Sequence, residues 1–190
     1  PRAVADTLEG RISGDRVLEE SFGHRAQEIF SKTEAVQIMA CGTSFHAGLV
    51  AKQWLEYVGI PCSVEIASEY RYRRHPIQPG TLAITISQSG ETADTLAALE
   101  EAKRQNILGS LTVCNVPESS LVRESDLQFM THAGPEVGVA STKTYTTAMT
   151  GLMLLALILA RRHGYDEGFE SHVIGQLRAL PSALEDALAM

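Results

Sequence analysis

Positive charge is scarce in this chain. Sixteen Lys and Arg stand against 23 Asp and Glu among 190 residues, a formal net charge of −7 at neutral pH. That balance argues against long-range attraction to nucleic acid or to an anionic membrane, so neither is expected as a partner. Any anionic ligand must then be held by local dipoles. Cysteine is also sparse. Cys41, Cys62 and Cys114 are odd in number and lack zinc or redox spacing, and are expected as reduced, buried thiols of a cytoplasmic protein. The longest apolar stretch, Gly151 to Ala160, is about half of the roughly 20 residues that a bilayer-spanning helix requires, and it is expected as a buried helix. His24, His75, His132, His163 and His172 have no ligand spacing, so no metal site is expected. No Gly-Lys-Ser/Thr run ends a glycine-rich loop and no GxGxxG follows the first strand, which demotes nucleotide binding; no cofactor is expected. Repeats and low-complexity linkers are absent. The chain opens at Pro1 with no initiator Met and no basic leader, as a piece excised from a longer polypeptide would.

What is present is an alternation of elements. Apolar content of 44% over this length fits one domain, 1–190, with a real core. Lead-in helices are expected over 1–33, a sheet core and long helix over 34–165, and tail helices over 166–190, with Pro181 opening the last segment. Ala35 to Cys41 is a short apolar run, after which Ala47, Val50, Ala51, Trp54, Leu55 and Val58 recur at helical spacing. Gly59 and Pro61 then stop that helix. Cys62 to Ala67, Leu82 to Ile86, Gly109 to Cys114 and a weaker Asp126 to Thr131 read as further strands. Glu91 to Arg104 reads as a helix with Ala93, Leu96, Ala97 and Leu99 inward, and Thr142 to His163 as a long one. Five strands separated by helices predict an α/β fold: a three-layer, five-stranded parallel sheet of order 2-1-3-4-5, covered on both faces.

Two hydroxyl-rich runs, Cys41-Gly42-Thr43-Ser44 and Ser87-Gln88-Ser89-Gly90-Glu91-Thr92, sit where a strand ends and a helix begins. The first amides of a helix have no intrahelical partner, and the aligned peptide dipoles favour an anion there. In the expected topology the ligand crevice lies outside the carboxyl ends of strands 1 and 3, which those two loops follow. A single hydroxyl before a helix is ordinarily a cap, worth about 1 kcal/mol. The second run supplies four neutral polar side chains, a carboxylate and a glycine where one cap would suffice. A third such turn, Gly138-Val139-Ala140-Ser141-Thr142, precedes the long helix.

Few residues suit proton transfer at that crevice. Glu91 is expected to complement its helix dipole, Glu136 to serve structure or a subunit contact, and His46 to lie exposed on a helix face. Lys143 is expected as a salt-bridge or surface residue. Arg71, Arg73 and Arg74, interleaved with Tyr70 and Tyr72, are expected on a solvated or interface surface. The long helix is apolar on most faces and needs more cover than one sheet face supplies; a homodimer or a docked second half is expected to provide it.

The three polar turns, together with Gly59-Ile60-Pro61-Cys62, Glu65 to Arg73 and Asn115 to Asp126, resemble the sugar isomerase (SIS) domain family. They are most similar to the first of the two SIS halves in the isomerase region of bacterial-type glutamine–fructose-6-phosphate aminotransferases, and the resemblance covers essentially the whole chain. It implies a small-molecule sugar phosphate as ligand, with Ser87, Gln88, Ser89 and Thr92 on the phosphate and Thr43, Ser44, Val139 and Ser141 lining the sugar. It further implies conversion of fructose 6-phosphate and glutamine to glucosamine 6-phosphate and glutamate, with a second SIS half and a glutaminase domain as partners. The family's glutamate base, its lysines and its histidine from a neighbouring subunit lie in the second half or the C-terminal tail. No catalytic residue is therefore expected here, and the fragment is expected to bind without turnover. A sugar-phosphate-sensing SIS module of a transcription regulator is the alternative.

Overall fold

The computed structural model describes residues 1–73, 76–138 and 141–189. Helix α1 (Arg2–Leu8) leads into a two-stranded antiparallel ribbon, β1 (Ile12–Ser13) and β2 (Arg16–Val17), then a 3₁₀ turn and α2 (Ala26–Phe30). The alternating part follows as β3 (Ala35–Ala40), α3 (Gly42–Tyr57), β4 (Cys62–Ile66), α4 (Ala67–Tyr70), β5 (Thr81–Ser87), α5 (Ala93–Arg104), β6 (Gly109–Cys114), α6 (Ser120–Glu124) and β7 (Leu127–Met130). Helices α7 (Lys143–Arg162) and α8 (Glu167–Leu188) close the chain.

The main sheet has the order β4-β3-β5-β6-β7 with every pairing parallel. Counted along the chain this is 2-1-3-4-5, the expected topology. Every residue of β3, β5 and β6 is buried, as parallel strands covered on both faces must be. Strand alternation divides the core. Val36, Ile38, Ala40, Ile84, Ile86, Leu111 and Val113 belong to the larger cluster with α3 and α7, while Met39 and Ala83 meet Ala67, Tyr70, Ala98 and Ala102 of α4 and α5. Thr85 and Thr112 satisfy each other's hydroxyls at 3.0 Å inside the sheet.

Several expectations need correcting. The lead-in segment is not all helix, because Ile12 to Val17 forms the ribbon around Gly14, whose φ of +53° suits a two-residue turn. Strands this short carry no legible period. On α5 Leu99 is buried as expected, but the other buried residues are Thr95, Ala98 and Ala102; Leu96 and Ala97 are half-buried and Ala93 is exposed. The buried positions 95, 98, 99 and 102 follow the helical period, out of phase with the expected face. Pro181 does not open a new segment. It lies inside one continuous helix, α8, at the cost of the bond its missing amide would give the Leu177 carbonyl.

Helix α7 is long and apolar enough to cross a membrane, yet it is packed as a core helix, with all of Gly151 to Ala160 buried except the half-buried Met153. Its cover comes from within the chain, from α3, α1, α8 and α2 as well as the sheet, so no partner is needed to bury it. Arg161 ties it to Glu19 and Glu170, and Arg162 pairs with Glu19.

The close approach of α7 to β7 depends on Gly151. A Cβ there would lie 2.4 Å from the Phe129 ring, which is wholly buried between Phe22 and the Arg11 guanidinium. Gly151→Ala is predicted to destabilise the chain by about 1–3 kcal/mol in urea unfolding. Gly175→Ala on α8, where nothing lies within 4 Å, is predicted instead to stabilise it by about 0.5–1 kcal/mol.

Candidate functional site

Strands β3 and β5 are neighbours in register, Ala40 beside Ile86, but the chain leaves them toward opposite layers of the fold. The loops that follow therefore face each other across the end of the sheet. There they enclose a cavity of about 200 Å³ lined by Cys41, Thr43, Ser44, Ile86, Ser87, Gln88, Ser89, Thr92, Thr95 and Ser141. No charged side chain is among them. The volume is below the roughly 300–1,000 Å³ typical of sites for drug-sized ligands, and suits a small polar one.

The Ser87–Thr92 loop is held by its own hydroxyls. Ser87 Oγ accepts the Gly90 amide at 3.0 Å and lies 3.2 Å from Thr92 Oγ1, while Ser89 Oγ accepts the Glu91 amide at 3.2 Å. Gly90 is indispensable to this shape. Its φ is +68°, and a Cβ would fall 2.0 Å from Ser119 Oγ and 2.9 Å from Cys114 Sγ. The Glu91 carboxylate turns outward and accepts the Ser120 amide at 2.7 Å, which, with the Ser120 hydroxyl, holds its pKa below the usual value. It thus caps α6 rather than complementing its own helix.

Helix termini around the cavity are not equivalent. Neither Cys41 before α3 nor Thr92 before α5 gives its helix a side-chain cap, and among the described residues no side chain accepts the first amides of either helix. Helix α7 is different, because Glu136 folds back onto it. Its carboxylate accepts the amides of Thr142 at 2.8 Å and Lys143 at 3.0 Å, and the hydroxyls of Thr142, Ser141 and Thr144. Burial works to raise the Glu136 pKa, but the bonds from Thr144, Thr142 and Lys143 outweigh it and hold the group at about 2. The start of α7 is consequently filled by the protein's own carboxylate, and Ser141, bonded to it, stands on the cavity wall.

Comparison with known proteins places this geometry. The SIS domain model matches residues 29–158, well over half of the chain. The chain belongs to the SIS domain family. Among curated relatives, the SIS chain is 57% identical over its whole length to a glutamine–fructose-6-phosphate aminotransferase [isomerizing] of Pseudomonas putida, and 53% identical to that of Escherichia coli K12. It spans 31% of each of those relatives. A solved structure, the C-terminal domain of glucosamine-fructose-6-phosphate aminotransferase from Francisella tularensis, superposes with a TM-score of 0.95 at 46% identity, covering 100% of this chain and 54% of that one.

Of the eight site residues named from the sequence, the SIS fold brings Thr43, Ser44, Ser87, Gln88, Ser89, Thr92 and Ser141 to one cavity. Val139 lies outside the described residues, as do Arg74 and His75 of the basic stretch. Sequence reasoning missed Cys41, Ile86 and Thr95 as lining residues. Thr95 follows Thr92 by three positions and so shares its helix face, a legible signal. Cys41 is half-buried at the cavity rather than a core thiol, whereas Cys62 and Cys114 are buried; burial pushes the Cys62 thiol up to about 12. His46 is exposed against Phe45. Lys143 is a surface residue whose ammonium donates to the Pro135 carbonyl at 2.6 Å. Arg71 lies over Tyr72 and 3.7 Å from Asp94, Arg73 pairs with Glu65, and Tyr70 is buried rather than part of that surface.

The Glu136 cap makes a signed prediction. A carboxyl group lowered from 4.5 to about 2 in the fold contributes stability that is complete above its unfolded value and is lost as pH falls through the folded one. Glu136→Gln is predicted to lower the unfolding midpoint at pH 7. Its deficit against the unsubstituted chain should shrink between pH 4.5 and 2, followed by thermal unfolding monitored by circular dichroism.

Proposed function

We propose that this chain is the sugar-phosphate-binding half of the isomerase region of a glutamine–fructose-6-phosphate aminotransferase, an enzyme that converts fructose 6-phosphate and glutamine to glucosamine 6-phosphate and glutamate. The observation that carries the reading is the convergence of two uncapped helix N-termini and a set of neutral hydroxyl donors on one small cavity at the switch point of the sheet. Identity extending over the entire chain to relatives of that name supports this enzyme over a sensing module of a regulator.

On this reading Ser87, Gln88, Ser89 and Thr92 hold the phosphate, and Thr43, Ser44, Val139 and Ser141 line the sugar. Hydroxyls donate to phosphate oxygens, and the first amides of α3 and α5 add their dipoles without any lysine. About three charge-assisted hydrogen bonds, worth roughly 1.5–3 kcal/mol each before the costs of association, reach micromolar to millimolar affinity. Glu91 and Glu136 are both engaged as helix caps, so neither is free to move a proton on a ligand, and this half binds without turnover. The reading includes a second SIS half and a glutaminase domain as partners, a homodimer, and a cytoplasmic location, the last in keeping with three unpaired cysteines.

Titrating fructose 6-phosphate or glucosamine 6-phosphate against amide NMR spectra tests the site. Shifts are predicted to centre on Gly42 to Ser44 and Gln88 to Thr92, and to vanish in Ser89→Asp, whose carboxylate repels the phosphate. Shifts centred elsewhere overturn the site, and glucosamine 6-phosphate formation by this chain alone overturns the binding-only role.

A further inference from the structure

We infer that Thr95 is a further phosphate-holding residue of this cavity, its hydroxyl left without a partner by the fold so that an anion supplies one. The inference rests on the phosphosugar reading above and adds a residue that neither the sequence motifs nor the loop geometry assigned.

Thr95 lines the cavity in the first turn of α5, on the face it shares with Thr92, and is 1% exposed. Its Oγ1 is buried and has no hydrogen-bond partner among the described residues. Such a group is costly to keep, and native folds satisfy nearly all of them. The other buried threonines show how easily it is done. Thr7, Thr33 and Thr150 return their hydroxyls to the carbonyl one helical turn back, at 2.7, 2.9 and 3.0 Å. Thr81, Thr147 and Thr131 find a carbonyl or amide oxygen, Thr85 and Thr112 find each other, and Thr144 finds Glu136.

Among the described residues Thr95 is thus the buried threonine whose hydroxyl is unsatisfied, and it is also the one beside the cavity. The corresponding acceptor, the Glu91 carbonyl, is one turn back and is not used. In a helix threonine divides between two χ1 rotamers, so one staggered step redirects the hydroxyl. A phosphate oxygen accepts from it as from Ser87, Ser89 and Thr92; a neutral donor set gains one member and no charge. The phosphate end is indicated because Thr95 belongs to the first turn of α5, next to those three residues.

The test measures Kd for inorganic phosphate and for fructose 6-phosphate by NMR titration, and the urea midpoint in phosphate-free buffer, for the unsubstituted chain, Thr95→Val, Thr95→Ala and Thr95→Ser. Thr95→Val is expected to weaken both anions about tenfold, 1.4 kcal/mol, while raising the urea midpoint, because an orphaned hydroxyl becomes a methyl of the same shape. Thr95→Ala should weaken both anions likewise, and Thr95→Ser should stay within about twofold. A lower midpoint with unchanged Kd in Thr95→Val would show a hydroxyl satisfied inside the fold and would overturn the inference. So would weakening confined to fructose 6-phosphate. If the unsubstituted chain binds phosphate but not the sugar phosphate, the phosphosugar reading fails while the Thr95 result still decides this one; binding of neither overturns both.

Discussion

The parallel pairing of β3 with β5 is the constraint on which the site depends. Their register sets Ala40 beside Ile86, so both strands end at the same level, and the order β4-β3-β5 sends the two chains into opposite helical layers. Two helix N-termini are thereby turned toward one point without any long-range charge to hold them there. The net charge of −7 offers no long-range attraction to an anion, and the cavity itself carries no charged side chain, so dipoles and hydroxyls at contact distance are what it presents.

Self-capping then sorts the helix ends. Glu136 occupies the start of α7 and Glu91 the start of α6, each carboxylate satisfied by backbone amides and held ionised. The starts of α3 and α5 receive no side-chain cap. Four chemically similar termini become two filled and two open ones, and the open pair faces the cavity. Glycines make the approach possible: Gly90 lets the loop lie against Ser119 and Cys114, and Gly151 lets α7 lie against Phe129.

Much of this was legible from residue order. Buried strands announced themselves as apolar runs, the 3.6-residue spacing of Ala47 to Val58 marked α3, and the hydroxyl-rich runs fell at the strand ends that the topology singles out. What escaped reading had local causes. A ribbon of two-residue strands has no period, and Pro181 is a helix breaker in isolation but is carried within α8. The inward face of α5 lies out of phase with the expected one, and the Glu136 carboxylate meets amides six and seven positions further along the chain, a pairing that no motif encodes.

The amino-acid sequence by itself determined the fold class, the strand order and the identity of the polar turns, because hydrophobic periodicity and turn chemistry are local properties of the chain. Only the tertiary structure decided which of those turns stay open, that α7 is covered from within its own chain, and that Thr95 keeps an unsatisfied hydroxyl at the cavity. These are matters of which groups meet across space. Hydrogen-bond partnership between residues far apart in the chain is fixed by packing and leaves no periodic trace in residue order.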